Sequence, residues 1–275
     1  MSAIALLRRW RHGPLRAFGP VWVALGNCYR MFCRLGLGKA VRQKIGPYGP
    51  FLLQPEFAFS NFENWGGAHN GGFNHCIETC RNRTCVLDIG AHIGLVTLPA
   101  SKVIGAGGRI YAFEPSTANL RYLRRHIENN DIRNAEVIAC LVGAEDKESV
   151  SFFEQRWVSG MNGLAVKREH DKFIETSRPQ ISIDRFCIER GLSPDLVKID
   201  VEGAEYGVLQ GAAATLRRCQ PPIFLSVHPT QLRMLGSDVE ALQQLIHDLG
   251  YRCHEIDGSV ARQLRMNEYL LLPNL

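Results

Sequence analysis

Short apolar runs alternate with longer helical patterns over the last two thirds of the chain. Residues 85–87 form the first of these runs, which is followed by an acid and a glycine-rich turn. Such alternation indicates βαβ units, so we expect a mostly parallel sheet with helices on both faces. Further strands are predicted at residues 109–113, 136–140, 196–199, 222–227, 251–256 and 268–272. The predicted fold class is therefore α/β, a Rossmann-like sheet of seven strands that ends in an antiparallel hairpin.

Polar residues mark the expected starts of three helices. Ser116 and Asp184 are each placed to cap the helix that follows, and Ser237 with Glu240 fits a capping box. These positions predict where the helices between the strands begin.

An excursion interrupts the alternation after the third strand. Two short strands, residues 149–154 and 180–183, flank a polar, glycine-containing stretch at 159–171. Insertions at strand ends are where specificity is usually carried, so this stretch is predicted to face a substrate.

The first turn selects the kind of cofactor. It has the pattern Asp88-x-Gly90-x-x-x-Gly94, whereas dinucleotide-binding folds favour G-x-G-x-x-G, with a pyrophosphate on the helix N-terminus. A carboxylate before the loop suits a cofactor that bears a cation.

Glu114 follows the next strand, 26 residues after Asp88, where an acid accepts hydrogen bonds from ribose hydroxyls. Glu114 alone does not distinguish NAD from S-adenosylmethionine.

Three runs, VLDIGAHIGLVTLPAS, IYAFEPSTANLRYL and LVKIDVEGAEYGVLQGA, occur in this order. Together they resemble the FkbM family of S-adenosylmethionine-dependent methyltransferases, over residues 85–273. The resemblance implies the class I methyltransferase fold, S-adenosylmethionine as cofactor, and O-methylation of a hydroxyl on a sugar, glycolipid or polyketide. His92 stands where the family usually has Asn.

Cofactor-binding residues are predicted at the strand ends. In methyltransferases of this architecture the loop after the third strand borders the adenine, which makes Leu141, Val142 and Gly143 candidates for that wall. The full predicted cofactor set is Asp88, Gly90, Ala91, His92, Gly94, Glu114, Pro115, Leu141 and Asp200.

Catalytic residues are predicted after the fourth and fifth strands. Asp200, Glu202 and Glu205 form the densest acidic cluster in the chain; Asp200 is expected nearest the sulfonium, Glu202 faces substrate or a metal, and Glu205 fits either this cluster or simple helix N-terminal electrostatics. His228 is the best candidate for a general base, with an orienting role as the alternative. The predicted catalytic set is His228, Asp200 and Glu202, and no metal site is predicted.

Positive charge is concentrated at the N-terminus. Residues 1–44 contain nine Arg or Lys and no acid, interspersed with aromatic and aliphatic residues. A helical appendage packed on the catalytic domain is the favoured interpretation, and peripheral attachment to an anionic membrane is the main alternative. Nucleic-acid binding and an organellar transit peptide are less favoured. The apolar run at 17–25 is too short to span a bilayer. The unpaired cysteines indicate a reducing compartment, and we expect a cytoplasmic protein, free or peripheral at a membrane surface.

The predicted organisation has three parts: a basic amphipathic segment at 1–44, a linker and aromatic lid-like segment at 45–84, and a methyltransferase domain at 85–275. The aromatic residues of the second part either pack the N-terminal segment onto the domain, which is the favoured interpretation, or form a lid over the cofactor mouth. The linker is placed at about 45–50. Nine cysteines without a C-x-x-C pair are interpreted as reduced thiols.

The expected partner is a small-molecule or glycan- or lipid-linked acceptor. Two rival classes are a non-catalytic, membrane-associated binding protein on the same fold and an NAD-dependent oxidoreductase.

Overall fold

The computed structural model of the 275-residue chain describes residues 10, 13, 18–34, 38–67, 70–165 and 173–274. Most of the basic segment before residue 18, and residues 166–171 of the predicted excursion, lie outside this description. The strands are β1 (Val41–Ile45), β2 (Tyr48–Leu53), β3 (Cys85–Ile89), β4 (Arg109–Phe113), β5 (Ala135–Ile138), β6 (Leu141–Val142), β7 (Lys147–Gln155), β8 (Phe173–Ile181), β9 (Leu196–Ile199), β10 (Ile223–Val227), β11 (Tyr251–Glu255) and β12 (Asn267–Pro273).

The helices follow the predicted alternation. They are α1 (Gly19–Arg34), α2 (Phe73–Thr79), α3 (Thr97–Val103), α4 (Thr117–Asn129), α5 (Ile183–Arg190), α6 (Glu205–Gln210), α7 (Ala213–Cys219), α8 (Pro229–Met234) and α9 (Val239–Asp248). Short 3₁₀ turns occupy Pro55–Phe57 and Phe62–Asn64.

Seven strands form the central sheet in the order β11-β12-β10-β9-β3-β4-β5. The five strands from β10 to β5 are mutually parallel, while β12 is antiparallel to both β10 and β11. This confirms the predicted α/β class, the mostly parallel Rossmann-like sheet and the closing hairpin. The hairpin is not a simple extension of the sheet, because its second strand lies between β10 and β11.

A separate sheet carries the excursion. It has three strands in the order β6-β8-β7, with β8 parallel to β6 and antiparallel to β7. The predicted strand at 149–154 lies within β7, which is nine residues long. The predicted strand at 180–183 is largely wrong, because β8 covers Phe173–Ile181 and residue 183 already begins α5.

Side chains of the central sheet alternate between two buried clusters, one on each face. In β3, Leu87 and Ile89 belong to one cluster and Val86 to the other. Every residue of this strand is buried, as expected for a parallel strand covered by helices on both sides.

The predicted linker at 45–50 is wrong. Gly46 and Pro47 form the turn of the β1–β2 hairpin, and Phe51 and Leu53 are buried in the same cluster as Val86. The ring of His126, in α4, joins this hairpin to the turn after β3, because Gln54 N–H donates to its Nε2 at 3.0 Å and its Nδ1 donates to Ile93 C=O at 2.9 Å. The hairpin is therefore an integral layer over α4.

Helix α1 packs through its C-terminal half. The Tyr29 ring contacts Phe59 edge-on with centroids 5.1 Å apart, and Cys33 is buried. Phe18, Val21 and Leu25, at the other end, are 57%, 53% and 51% exposed. Among the described residues, no helix is both long and apolar enough to cross a bilayer.

Two predicted helix caps are wrong by one or two residues. Ser182, not Asp184, accepts the N–H of Arg185 at the start of α5, and Asp238, not Ser237, accepts the N–H of Ala241 at the start of α9. Asp184 instead accepts two backbone N–H bonds at the start of α7. Ser116 does occupy the N-cap of α4, but its side chain makes no capping bond.

Candidate functional site

A cavity of about 890 Å³ opens at the carboxyl ends of β3, β4, β9 and β10, the edge where open α/β sheets bind ligands. It is lined by nine of the predicted site residues: Gly90, Ala91, His92, Glu114, Pro115, Leu141, Asp200, Glu202 and His228. Val142 also lines the cavity, whereas Gly143 does not and packs against the side chain of Gln180. Asp88 and Gly94 lie behind the wall.

The turn after β3 requires glycine at position 90. Gly90 has φ +84°, and a Cβ built there would lie 1.9 Å from the backbone oxygen of Asp200. Two strand ends therefore touch through this residue. His92 also has positive φ, at +54°, a conformation that Asn and His tolerate better than most residues.

Glu114 stands at the end of β4 with both carboxylate oxygens in use. Oε2 accepts the backbone N–H of His92 at 2.8 Å, and Oε1 accepts that of Ser116 at 2.9 Å. The residue is 4% exposed. Burial outweighs these hydrogen bonds and raises the pKa of Glu114 to about 7. Oε1 also accepts the side-chain N–H of Asn119 at 3.3 Å, whereas Oε2 keeps further acceptor capacity.

The imidazole of His92 adds a polar group to the wall without adding charge. Its Nε2 is buried and has no hydrogen-bond partner among the described residues. Burial lowers the pKa of His92 to about 4, so the ring is neutral near pH 7.

Asp88 does not face the cavity as predicted. It is fully buried, accepts the hydroxyl hydrogen of Thr97 at 2.6 Å, and lies 3.3 Å from Nζ of Lys198. The cation that this carboxylate meets belongs to the protein. Its role in the site is to hold the first turn through Thr97 and Lys198.

Lys198 was missed by the sequence reasoning, although a lysine inside the apolar strand β9 was a visible signal. Its Nζ donates to the carbonyl of Gly90 at 2.8 Å and lies 3.8 Å from Oδ2 of Asp200. Burial acts to lower the pKa of Lys198, but the charges of Asp88 and Asp200 outweigh burial and raise it. Lys198 thus joins the first turn to the acidic cluster.

His228 follows β10 and is held by three acids. Its Nδ1 lies 2.6 Å from Oε1 of Glu205, and its Nε2 lies 3.7 Å from Asp200 Oδ1 and 3.6 Å from Glu202 Oε1. Burial acts to lower the pKa of His228, but the hydrogen bond to Glu205 and the neighbouring carboxylates raise it to about 9. The imidazole therefore holds a proton at neutral pH.

Glu205 does more than favour a helix N-terminus. It is fully buried, and its Oε1 also accepts the backbone N–H of Gly203 at 3.0 Å. The carboxylate therefore fixes both the turn after Glu202 and the ring of His228. Sequence spacing alone did not reveal the pairing with His228.

A sequence model described as the methyltransferase FkbM domain matches residues 88–253, which is more than half of the chain. The chain belongs to the FkbM methyltransferase family. Methyltransferase 1 of Beauveria bassiana is 27% identical over 143 residues, which are 46% of this chain and 57% of that relative. The chain thus spans little more than half the length of the curated relative it matches.

Solved structures also resemble this FkbM-family chain. An FkbM methyltransferase from Methylobacillus flagellatus KT is 20% identical, with a TM-score of 0.43 over 70% of this chain and 44% of its own. A precorrin-6y C5,15-methyltransferase from Geobacter metallireducens GS-15 is 15% identical, with a TM-score of 0.41 over 74% of this chain and 88% of its own.

The aromatic segment predicted as lid-like borders the FkbM-family cavity. Trp65 and Gly72 line it, and the Gly72 N–H donates to Glu268 of β12 at 2.8 Å. Burial raises the pKa of Glu268.

Within the described ranges, no three His, Cys, Asp or Glu side chains form a cluster suited to a metal ion.

Proposed function

We propose that this protein transfers the methyl group of S-adenosylmethionine to a hydroxyl oxygen of an acceptor. One observation carries the proposal: Glu114 and the cluster around His228 face the same cavity at the carboxyl edge of the sheet. The first group suits a ribose and the second suits a proton transfer beside a cation. The acceptor class follows from the family resemblance and is a hydroxyl on a sugar, a glycolipid or a polyketide-like molecule.

The cavity residues fit such a donor. Glu114 can accept hydrogen bonds from ribose hydroxyls, and Leu141 and Val142 supply an apolar wall for a base. Asp88, Asp200, Glu202 and Glu205 outnumber the two neighbouring cations, Lys198 and His228. This excess of acid favours a ligand of positive charge.

The sulfonium of the donor supplies a methyl group that is already activated for transfer. The protein must therefore hold the acceptor oxygen in line and remove one proton. Such positioning can account for about 7 to 11 kcal/mol of barrier reduction, and a placed base contributes about 10²- to 10⁴-fold in rate.

His228 is suited to be that base once a further cation lies in the cavity. A like charge near Asp200 disfavours the imidazolium and lowers the pKa of His228. With Nδ1–H donated to Glu205, the neutral ring keeps its lone pair on Nε2, the nitrogen nearest Asp200 and Glu202. Nε2 then accepts the proton of the acceptor hydroxyl.

Calorimetric titration of the full chain with S-adenosylmethionine, and with NADH as a control ligand, tests the proposal. We expect micromolar binding of S-adenosylmethionine alone. Glu114→Ala should weaken it by about 5- to 150-fold, the equivalent of about 1 to 3 kcal/mol for unpaired ribose hydroxyls. Glu128→Ala, at an exposed position of α4, is the matched control. Binding of NADH instead would favour an oxidoreductase, and binding of neither ligand would favour a non-catalytic protein.

We further propose that the N-terminal part contacts an anionic membrane surface. Phe18, Val21 and Leu25 are exposed at a spacing that places them on one face of α1, and the segment around them is basic and acid-free. Apolar side chains with neighbouring basic residues are what an interfacial helix presents to lipid headgroups. A lipid-linked acceptor would then be delivered from that surface.

A further inference from the structure

A compact loop at residues 155–163 follows β7 and forms one wall of the cavity. Phe153 and Gly163 close its base with two backbone hydrogen bonds of 2.9 and 3.0 Å. Within the loop, Asn162 accepts the N–H of Gln155 at 3.0 Å and donates to the carbonyl of Ser159 at 3.1 Å. The loop is therefore a preformed, internally hydrogen-bonded unit.

The side-chain amide of Asn119, in α4, hydrogen-bonds to the middle of this loop. Its Oδ1 accepts the N–H of Ser159 at 3.2 Å, and its Nδ2 donates to the carbonyl of Ser159 at 3.0 Å. Asn119 is 2% exposed, so its amide is largely removed from water. Both backbone groups of one loop residue are satisfied by a single side chain.

The same amide reaches the acid predicted to bind ribose. Nδ2 of Asn119 lies 3.3 Å from Oε1 of Glu114 and donates to it. The orientation of the amide is fixed, because the Ser159 N–H needs an oxygen and the Glu114 carboxylate needs a donor. One buried side chain thus bonds both Glu114 and the loop.

The far end of the loop meets the acidic cluster. A Cβ added to Gly163 would lie 3.3 Å from the backbone oxygen of Glu202 and 3.4 Å from its Cβ. The loop therefore runs from the Glu114 end of the cavity to the residues around His228.

We infer that Asn119 is a positioning residue that couples occupation of the ribose site at Glu114 to the placement of the 155–163 loop on the acceptor side. This rests on the proposed function, since it assumes a ribose-bearing donor. Ribose hydroxyls on Glu114 fix its carboxylate, the carboxylate fixes the amide of Asn119, and the amide fixes Ser159. The acceptor wall is then held more firmly when the donor is in place.

Hydrogen exchange of the full-length protein, followed by mass spectrometry with and without S-adenosylhomocysteine, tests this inference. S-adenosylhomocysteine carries the same ribose and is not turned over. In the wild type we expect it to slow exchange of the loop amides by about fivefold or more. In Asn119→Ala the ratio of rates with and without the ligand should fall to about one at saturating ligand.

Matched variants distinguish a lost coupling between Glu114 and the 155–163 loop from a general loss of structure. Asn134→Ala removes an amide that also bonds a backbone carbonyl, that of Ser101 at 3.0 Å, and should leave the loop response at the wild-type value. Asn162→Ala loosens the loop itself, so exchange should be faster while the ligand still slows it. If Asn119→Ala does not fold, Asn119→Asp keeps the size and places a carboxylate against Glu114, and it should lose the response as well.

A wild-type ligand response in Asn119→Ala or Asn119→Asp would overturn the inference. So would a wild-type loop whose exchange is unchanged by bound S-adenosylhomocysteine, with the proposed function left intact. If calorimetry shows that the wild type binds neither S-adenosylhomocysteine nor S-adenosylmethionine, the proposed function fails and the inference fails with it.

Discussion

Oε1 of Glu205 lies 2.6 Å from Nδ1 of His228, in a carboxylate–imidazole pair whose acid is fully buried. The bond fixes the plane of the ring and directs Nε2 toward Asp200 and Glu202. It also makes the proton affinity of His228 depend on a residue that does not line the cavity.

Glu205→Gln should lower the pKa of His228 by about one unit or more, because the strongest hydrogen bond to the imidazolium loses its charge. The measurement is a pH titration of the imidazole carbon-bound protons by NMR. Glu240→Gln, in the exposed first turn of α9, should leave the pKa of His228 where it is in the wild type. An equal pKa in Glu205→Gln and wild type would show that Glu205 does not set it.

Protonated His228 should stabilise the fold over a defined pH range. Its pKa in the folded protein, about 9, exceeds the unfolded value of about 6.5. The stabilisation is therefore complete below about pH 6.5 and is lost as the pH rises through about 9. It amounts to about 3 kcal/mol at the acid end of this window.

Urea unfolding of wild type and His228→Gln at pH 6.5, 8 and 10 measures this contribution. The stability advantage of the wild type over the variant should shrink steadily across the three values. Parallel pH profiles for the two proteins would contradict the assignment.

Gly90→Ala should destabilise the protein strongly, because its Cβ would lie 1.9 Å from the backbone oxygen of Asp200. Gly107→Ala is a control at nearly the same φ, +80°, where nothing lies within 4 Å. The control should lose about 1 to 2 kcal/mol from the left-handed backbone alone. Thermal unfolding then isolates the effect of the clash as the difference between the two variants, and equal melting temperatures would argue against close approach of the strand ends.

Replacing Phe18, Val21 and Leu25 together by Ser should weaken binding to anionic vesicles by about tenfold or more, since the affinity of an interfacial helix rises with the apolar area that it buries. Flotation with vesicles rich in phosphatidylserine measures it. A triple Ser variant at the exposed Ile188, Met234 and Val260 is the control and should float like the wild type. No flotation of the wild type would exclude membrane contact.

Features governed by local rules were predictable from the sequence. Strands such as Arg109–Phe113 and Leu196–Ile199 match their predicted bounds, because buried parallel strands are continuous apolar runs between turn residues. Cap positions were less predictable. Ser182 and Asp184 both have capping side chains, and which of them bonds α5 depends on α7, whose N-terminus takes Asp184.

Pairings across the sheet could not be predicted in the same way. Lys198 meets Asp88 because β3 and β9 are in register, and Glu205 at the start of α6 meets His228 after β10. Both contacts exist only once distant elements are brought together. The same holds for Asn119, which is separated from Ser159 by 40 positions. A side chain's chemistry is visible in the sequence, but its partner is decided by topology.

The position of β12 has a consequence for synthesis of the protein. This strand lies between β10 and β11, and its Glu268 both lines the cavity and bonds Gly72. A chain emerging from the ribosome can fold its earlier units first, yet β11 has no place on the sheet until residues 267–273 are released. The nascent protein therefore completes this cavity only after β12 has emerged, and a chain that stopped before residue 266 would lack that wall.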